Sequence, residues 1–113
     1  MLPQNRRIPR KMFSLLQNKA KVFRNKLFLL RFVSKTEPTN RNSRFCFSIS
    51  KKVAKKAVMR NKLRRTGYRL LQNYLSEIKP EILAVFSFRE VPKDSEETSK
   101  NLEQVLKEAG LIK

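Results

Sequence analysis

The chain has no His and no Trp, a single Cys and two Gly among its 113 residues. Each shortage closes a branch of chemistry. Without His, the commonest general base and metal ligand is missing. The lone Cys46 excludes an intrachain disulfide and any cysteine-based metal cluster, and reads as a small strand residue in a reducing compartment. Two glycines cannot furnish a glycine-rich phosphate loop. No stretch approaches the roughly 18 apolar residues of a membrane span, and the basic start MLPQNRRIPRK lacks the apolar run of a signal peptide. A cytoplasmic protein without a membrane partner is expected.

Acidic residues are scarce too, and unevenly so. Residues 1–72 hold 21 Lys or Arg against the single Glu37, whereas residues 73–113 hold 6 against 8 acids, so +20 and −2 make up the net charge of +18. The charge is densest in KKVAKKAVMRNKLRRTGYR, residues 51–69, where nine of nineteen residues are basic and none is acidic. A cationic surface with no local counterions suits a polyanion, through phosphate contacts that give affinity without reading sequence. With 40% apolar residues, the length suits one domain with a modest core over 1–113, preceded by a basic arm over residues 1–10.

Periodicity outlines the elements. Met12, Leu15 and Leu16 stand at i, i+3 and i+4 in a short helical pattern over residues 11–18. LFLLRFV, residues 27–33, reads as a strand with Phe28, Leu30 and Phe32 on one face and Leu29, Arg31 and Val33 on the other. After the turn-like KTEPTNRNS, residues 44–50 alternate Phe45, Phe47 and Ile49 against Cys46, Ser48 and Ser50. One face is thus buried, and the other is small and polar, with room for something to approach. The basic segment becomes a helix between Lys56 and Met59 and runs to about Glu77. Leu63, Gly67, Leu70, Leu71, Tyr74 and Ile78 form its docking side, and Lys62, Arg65 and Arg69 its charged side. Pro80 ends it. ILAVFSF, residues 82–88, is apolar enough for a central strand covered on both sides. A last helix is capped by Asp94 or Ser95, carries Glu96 and Glu97 in its first turn and the stripe Leu102, Val105, Leu106 and Ala109, and stops at Gly110. The order describes an α/β sandwich, one sheet with helices packed on it.

No carboxylate pair stands in the basic region to hold magnesium or act as acid and base, so the protein is expected to contribute no catalytic residue and no metal ligand. Charge alone leaves several classes open. A structural ribosomal or RNA-packaging protein explains it as well as an enzyme subunit does, while a DNA-binding reading lacks any helix-turn-helix pattern or dimer seam.

The order of residues 47–65, FSISKKVAKKAVMRNKLRR, is more specific. A strand ending Phe-Ser-Ile-Ser, then Lys-Lys, a short linker, Ala-Val-Met, Arg-Asn and a basic-apolar-basic-basic run closely resembles the signature of the bacterial ribonuclease P protein subunit. The resemblance extends over nearly the whole chain. It implies a mixed four-stranded sheet with helices packed on it and a left-handed βαβ crossover, as in the second domain of ribosomal protein S5. It also implies a role as the small protein partner of a catalytic RNA that removes the 5′ leader from precursor tRNA, with magnesium bound mainly by that RNA.

Carried over by position, the RNA-binding residues are Lys51, Lys52, Arg60, Asn61, Lys62, Arg64 and Arg65, with Arg69 beside Tyr68, which stands where the family often has a basic residue. Lys62 takes the third place of the family's Arg-Asn-Arg, which keeps the point charge and loses bidentate phosphate binding. The leader-binding cleft falls on Phe13, Gln17, Arg31 and Ser48. Gln17 and Arg31 occupy positions that often carry aromatics; Arg31 can stack its guanidinium plane on a base or pair with a phosphate. Cys46 stands where Gly is frequent on the second strand.

Overall fold

The computed structural model describes residues 20–34, 43–78 and 82–112. Its elements are strand β1 (Lys21–Arg24), β2 (Phe28–Ser34), β3 (Arg44–Ser48), helix α1 (Ala57–Leu71) closed by a 3-10 turn (Gln72–Tyr74), β4 (Ile82–Phe88) and helix α2 (Ser95–Glu108). The helical pattern over residues 11–18 and the basic arm lie outside the described residues.

The four strands form one sheet in the order β1-β2-β4-β3. β1 pairs antiparallel with β2, β2 antiparallel with β4, and β3 parallel with β4, which makes the sheet mixed. Because β3 and β4 run parallel, the chain must cross over between them, and α1 is that crossover. α1 therefore begins beside the end of β3, and the basic linker of residues 51–56 is fixed at the sheet margin.

Strand alternation decides which side chains enter the core. Phe28, Leu30 and Phe32 of β2, Phe45 and Phe47 of β3, and Ile82, Ala84, Phe86 and Phe88 of β4 are buried on the face that the helices cover. Phe47 is central: its ring stacks on Phe86 at 4.9 Å and meets Tyr68 of α1 edge-on at 5.1 Å. Gly67 of α1 lies directly over the same ring. β4 is only partly covered on its second face, where Leu83 is buried but Val85 and Ser87 are half-buried.

β1 is absent from the periodicity reading. It is a four-residue edge strand, attached to β2 through a tight turn in which the Asn25 side chain accepts from Leu27 N and Phe28 N at 3.1 and 2.8 Å. Asn25 Nδ2 also donates to Asn101 O of α2 at 2.8 Å and ties the turn to the helix layer. α1 ends sooner than Glu77. The chain tightens into the 3-10 turn after Leu71, and Glu77 N and Ile78 N both donate to Tyr74 O, which brings Ile78 into the core. α2 follows its sequence signals. Asp94 caps it by accepting from Glu97 N at 2.8 Å, and Gly110 at φ 74 ends it, with Gly110 N bonded to Lys107 O and Leu111 N to Leu106 O.

Candidate nucleic-acid interface

α1 has two faces because its sequence has two stripes. Leu63, Gly67, Leu70 and Leu71 dock on the sheet; Lys62, Arg65 and Arg69 are exposed on the opposite side, and Lys51 and Lys52 are exposed in the linker. None of the ion pairs among the described residues involves residues 51–69; all four join lysines to acids of α2 or of the loop before it. The cations of this segment are thus held near one another without neutralisation, a self-repulsion that a bound polyanion would relieve.

Local hydrogen bonds sort these cations by task. Arg60 turns one guanidinium nitrogen inward, where Nη1 donates to the carbonyls of Ala54 at 2.9 Å and Lys55 at 2.7 Å. It fastens the linker to the first turn of α1. Asn61 organises the next turn: its Oδ1 accepts from Arg64 Nη1 at 2.8 Å and its carbonyl from Arg65 Nε at 3.5 Å. Two guanidinium groups are thereby steered to one side of the helix. Lys62 and Arg69 have no such restraint and extend from the exposed stripe.

Tyr68 does not face outward with them. It is 4% exposed, and its hydroxyl accepts from Phe47 N at 3.4 Å on the free edge of β3. At this position the chain carries a group that caps a strand edge. Burial pushes the Tyr68 phenol above its ordinary pKa, and burial likewise pushes the neighbouring Cys46 thiol up, opposed by the Tyr68 hydroxyl and the Arg64 charge.

The second face of the sheet gathers another set. Register places Val22, Arg31, Val85 and Cys46 in one row across the four strands, and Arg24, Leu29, Ser87 and Ser48 in the next. Arg31 and Ser48, both carried over as leader-cleft residues, share this face and are exposed. Phe13 and Gln17 lie outside the described residues. Arg24 joins Arg31 here and was missed because β1 was missed; the signal was present in Asn25, a turn residue between two short apolar runs. Among the described residues no three His, Cys, Asp or Glu side chains come together.

Comparison with known proteins decides the family. The ribonuclease P family model matches residues 2–110. The chain belongs to the ribonuclease P protein family. It is 28% identical over 102 residues to the ribonuclease P protein component of Synechocystis sp., a match that spans 88% of this chain and 81% of that protein. Among solved structures, the Staphylococcus aureus ribonuclease P protein superposes with a TM-score of 0.83 at 25% identity, covering 96% of this chain and 98% of that one. The Thermotoga maritima ribonuclease P protein shares the fold, with a TM-score of 0.78 at 23% identity over 90% and 96% of the two chains. Membership makes the chain a ribonuclease P protein component, part of an endoribonuclease complex of tRNA processing. No helix among the described residues is long and apolar enough to cross a membrane.

Proposed function

We propose that this chain binds the catalytic RNA of ribonuclease P through the linker and exposed stripe of α1, and the 5′ leader of precursor tRNA through the second face of the sheet. The observation that carries the first half is the cluster of cations over residues 51–69 that no ion pair among the described residues neutralises, with Arg64 and Arg65 held by Asn61. Lys51, Lys52, Lys62, Arg64, Arg65 and Arg69 act as phosphate ligands, and Arg60 sets the linker that presents Lys51 and Lys52. Lys62 supplies charge without geometric selection, whereas Arg64 and Arg65 keep the planar fork that matches a phosphate.

On the second face, Arg24 and Arg31 attract the leader backbone. Ser48 and Ser87 leave space and hydrogen-bonding capacity between the strands. Phe13 and Gln17 are assigned to the same cleft by family position. The protein moves no proton and activates no water: the phosphodiester is cut by the RNA with its magnesium, and the chain contributes positioning and charge neutralisation. These partners belong in the cytoplasm.

Binding to an in vitro transcribed bacterial ribonuclease P RNA, measured against salt, tests the reading. Six to nine neutralised phosphates give a log-log slope of roughly −4 to −6 with the single-strand coefficient. Replacing Lys62 and Arg65 together by Ala flattens that slope by roughly 1.4 units. A slope that stays the same in the double variant removes these side chains from the interface.

A further inference from the structure

The groove between α1 and the β4–α2 loop borders the exposed stripe of α1, shares Lys62 and Arg69 with it, and extends it onto the loop. It encloses about 440 Å³, within the roughly 300–1,000 Å³ range of small-ligand sites. Its walls are of two kinds. Met59 from the first turn of α1 and Val91 and Pro92 from the loop form an apolar wall, and Met59 and Val91 remain 38% and 44% exposed. Lys62 and Arg69 from α1 and Lys93 from the loop form a cationic one, and none of the three has an ion pair among the described residues. The one acid on the groove, Asp94, already accepts the Glu97 amide as the cap of α2.

An apolar wall beside unneutralised cations matches the two halves of a nucleotide. The base excludes water against the thioether and aliphatic carbons, and the phosphate meets the ammonium and guanidinium groups. A second copy of this chain fits poorly, since it would bring a net charge of +18 against +18. The groove also opens on the helix layer, whereas Arg31 and Ser48 lie on the other side of the sheet, so its occupant is not the leader strand.

We propose that the α1–loop groove seats one unpaired nucleotide of the partner RNA, its base against Met59, Val91 and Pro92 and its phosphate between Lys62, Arg69 and Lys93. This rests on the reading of the chain as a ribonuclease P RNA binder and adds the loop to the interface. Lys93 is its most specific element, because it lies outside the basic segment and contributes only if RNA reaches the groove.

The test compares variants in binding to an in vitro transcribed bacterial ribonuclease P RNA, with melting temperature measured for each. Lys93→Glu and Lys100→Glu change the net charge equally, but Lys100 stands outside the groove and already pairs with Glu96 at 3.2 Å. The groove predicts that Lys93→Glu weakens binding roughly tenfold more than Lys100→Glu. It also predicts that Met59→Ser with Val91→Ser weakens binding about fivefold at every salt concentration, since the lost contact is apolar. Equal losses for the two charge reversals, together with no loss for the serine pair, overturn the groove while leaving the basic segment as an RNA ligand. Variants that change the sedimentation mass of the protein but leave RNA affinity intact assign the groove to a second copy and also overturn it. If the unaltered chain fails to bind the RNA, the underlying reading falls and the groove with it.

Discussion

Arg60 illustrates how a charge in the basic segment can serve the protein first. Both of its inward hydrogen bonds end on linker carbonyls, so the residue acts on Lys51 and Lys52 through the backbone between them. Arg60→Lys keeps the charge and loses the fork that spans two carbonyls. It is expected to cost on the order of 1 kcal/mol in urea unfolding, given the partial exposure of the site. Arg60→Lys with unchanged stability contradicts the fastening role. Arg31 lies on the proposed leader surface. Its exposure on the second sheet face predicts that Arg31→Ala weakens binding of precursor tRNA to the assembled enzyme by roughly 1 kcal/mol or more at low salt and leaves mature tRNA almost unaffected. Equal losses on the two tRNAs, measured by competition, would remove Arg31 from the leader surface.

At the level of elements, the strands of residues 28–34, 44–48 and 82–88 and the last helix were legible because each carries its full signal within its own residues. Alternation of Phe with small or polar residues needs no tertiary information, nor do an Asp cap and a Gly stop. β1 was not legible: four residues give too few periods, and its place depends on Phe23 stacking on Phe32 across the pair at 5.9 Å. The inward turn of Tyr68 was equally hidden. Its position borders the charged stripe of α1, and only the free edge of β3, brought close by the crossover, gives its hydroxyl a partner. The strand face that Arg31 and Ser48 share with Arg24 followed from alternation for the first two, whereas Arg24 required β1. The close approach of α1 to β3 makes a sharp prediction. A Cβ at Gly67 would lie 2.7 Å from Phe47 Cδ1 and 2.8 Å from Cε1. Gly67→Ala therefore forces the central aromatic ring or the helix to shift, and despite better helix propensity it should destabilise by about 1–3 kcal/mol. A thermal melt that stays put or rises would mean that the ring has room to move.

For the whole molecule, the fold separates charge by sequence region and presents it by face. Among the described residues the acids sit mainly on α2 and the loop before it, where Lys26, Lys100 and Lys107 pair with them, while no such pair reaches the cations of the linker and α1. In the proposed function the cationic helix serves one RNA and the arginine-bearing sheet face another. In the proposed division of labour the protein neutralises and positions while the RNA performs the cleavage. The most direct measurement is precursor-tRNA cleavage at low magnesium by a bacterial ribonuclease P RNA, with and without the purified chain. That division of labour gives little cleavage by RNA alone, efficient leader removal on adding the chain, and none from the chain by itself at any magnesium concentration. Nuclease-treated, repurified protein that still cut precursor tRNA, or RNA whose cleavage the chain did not improve, would contradict it.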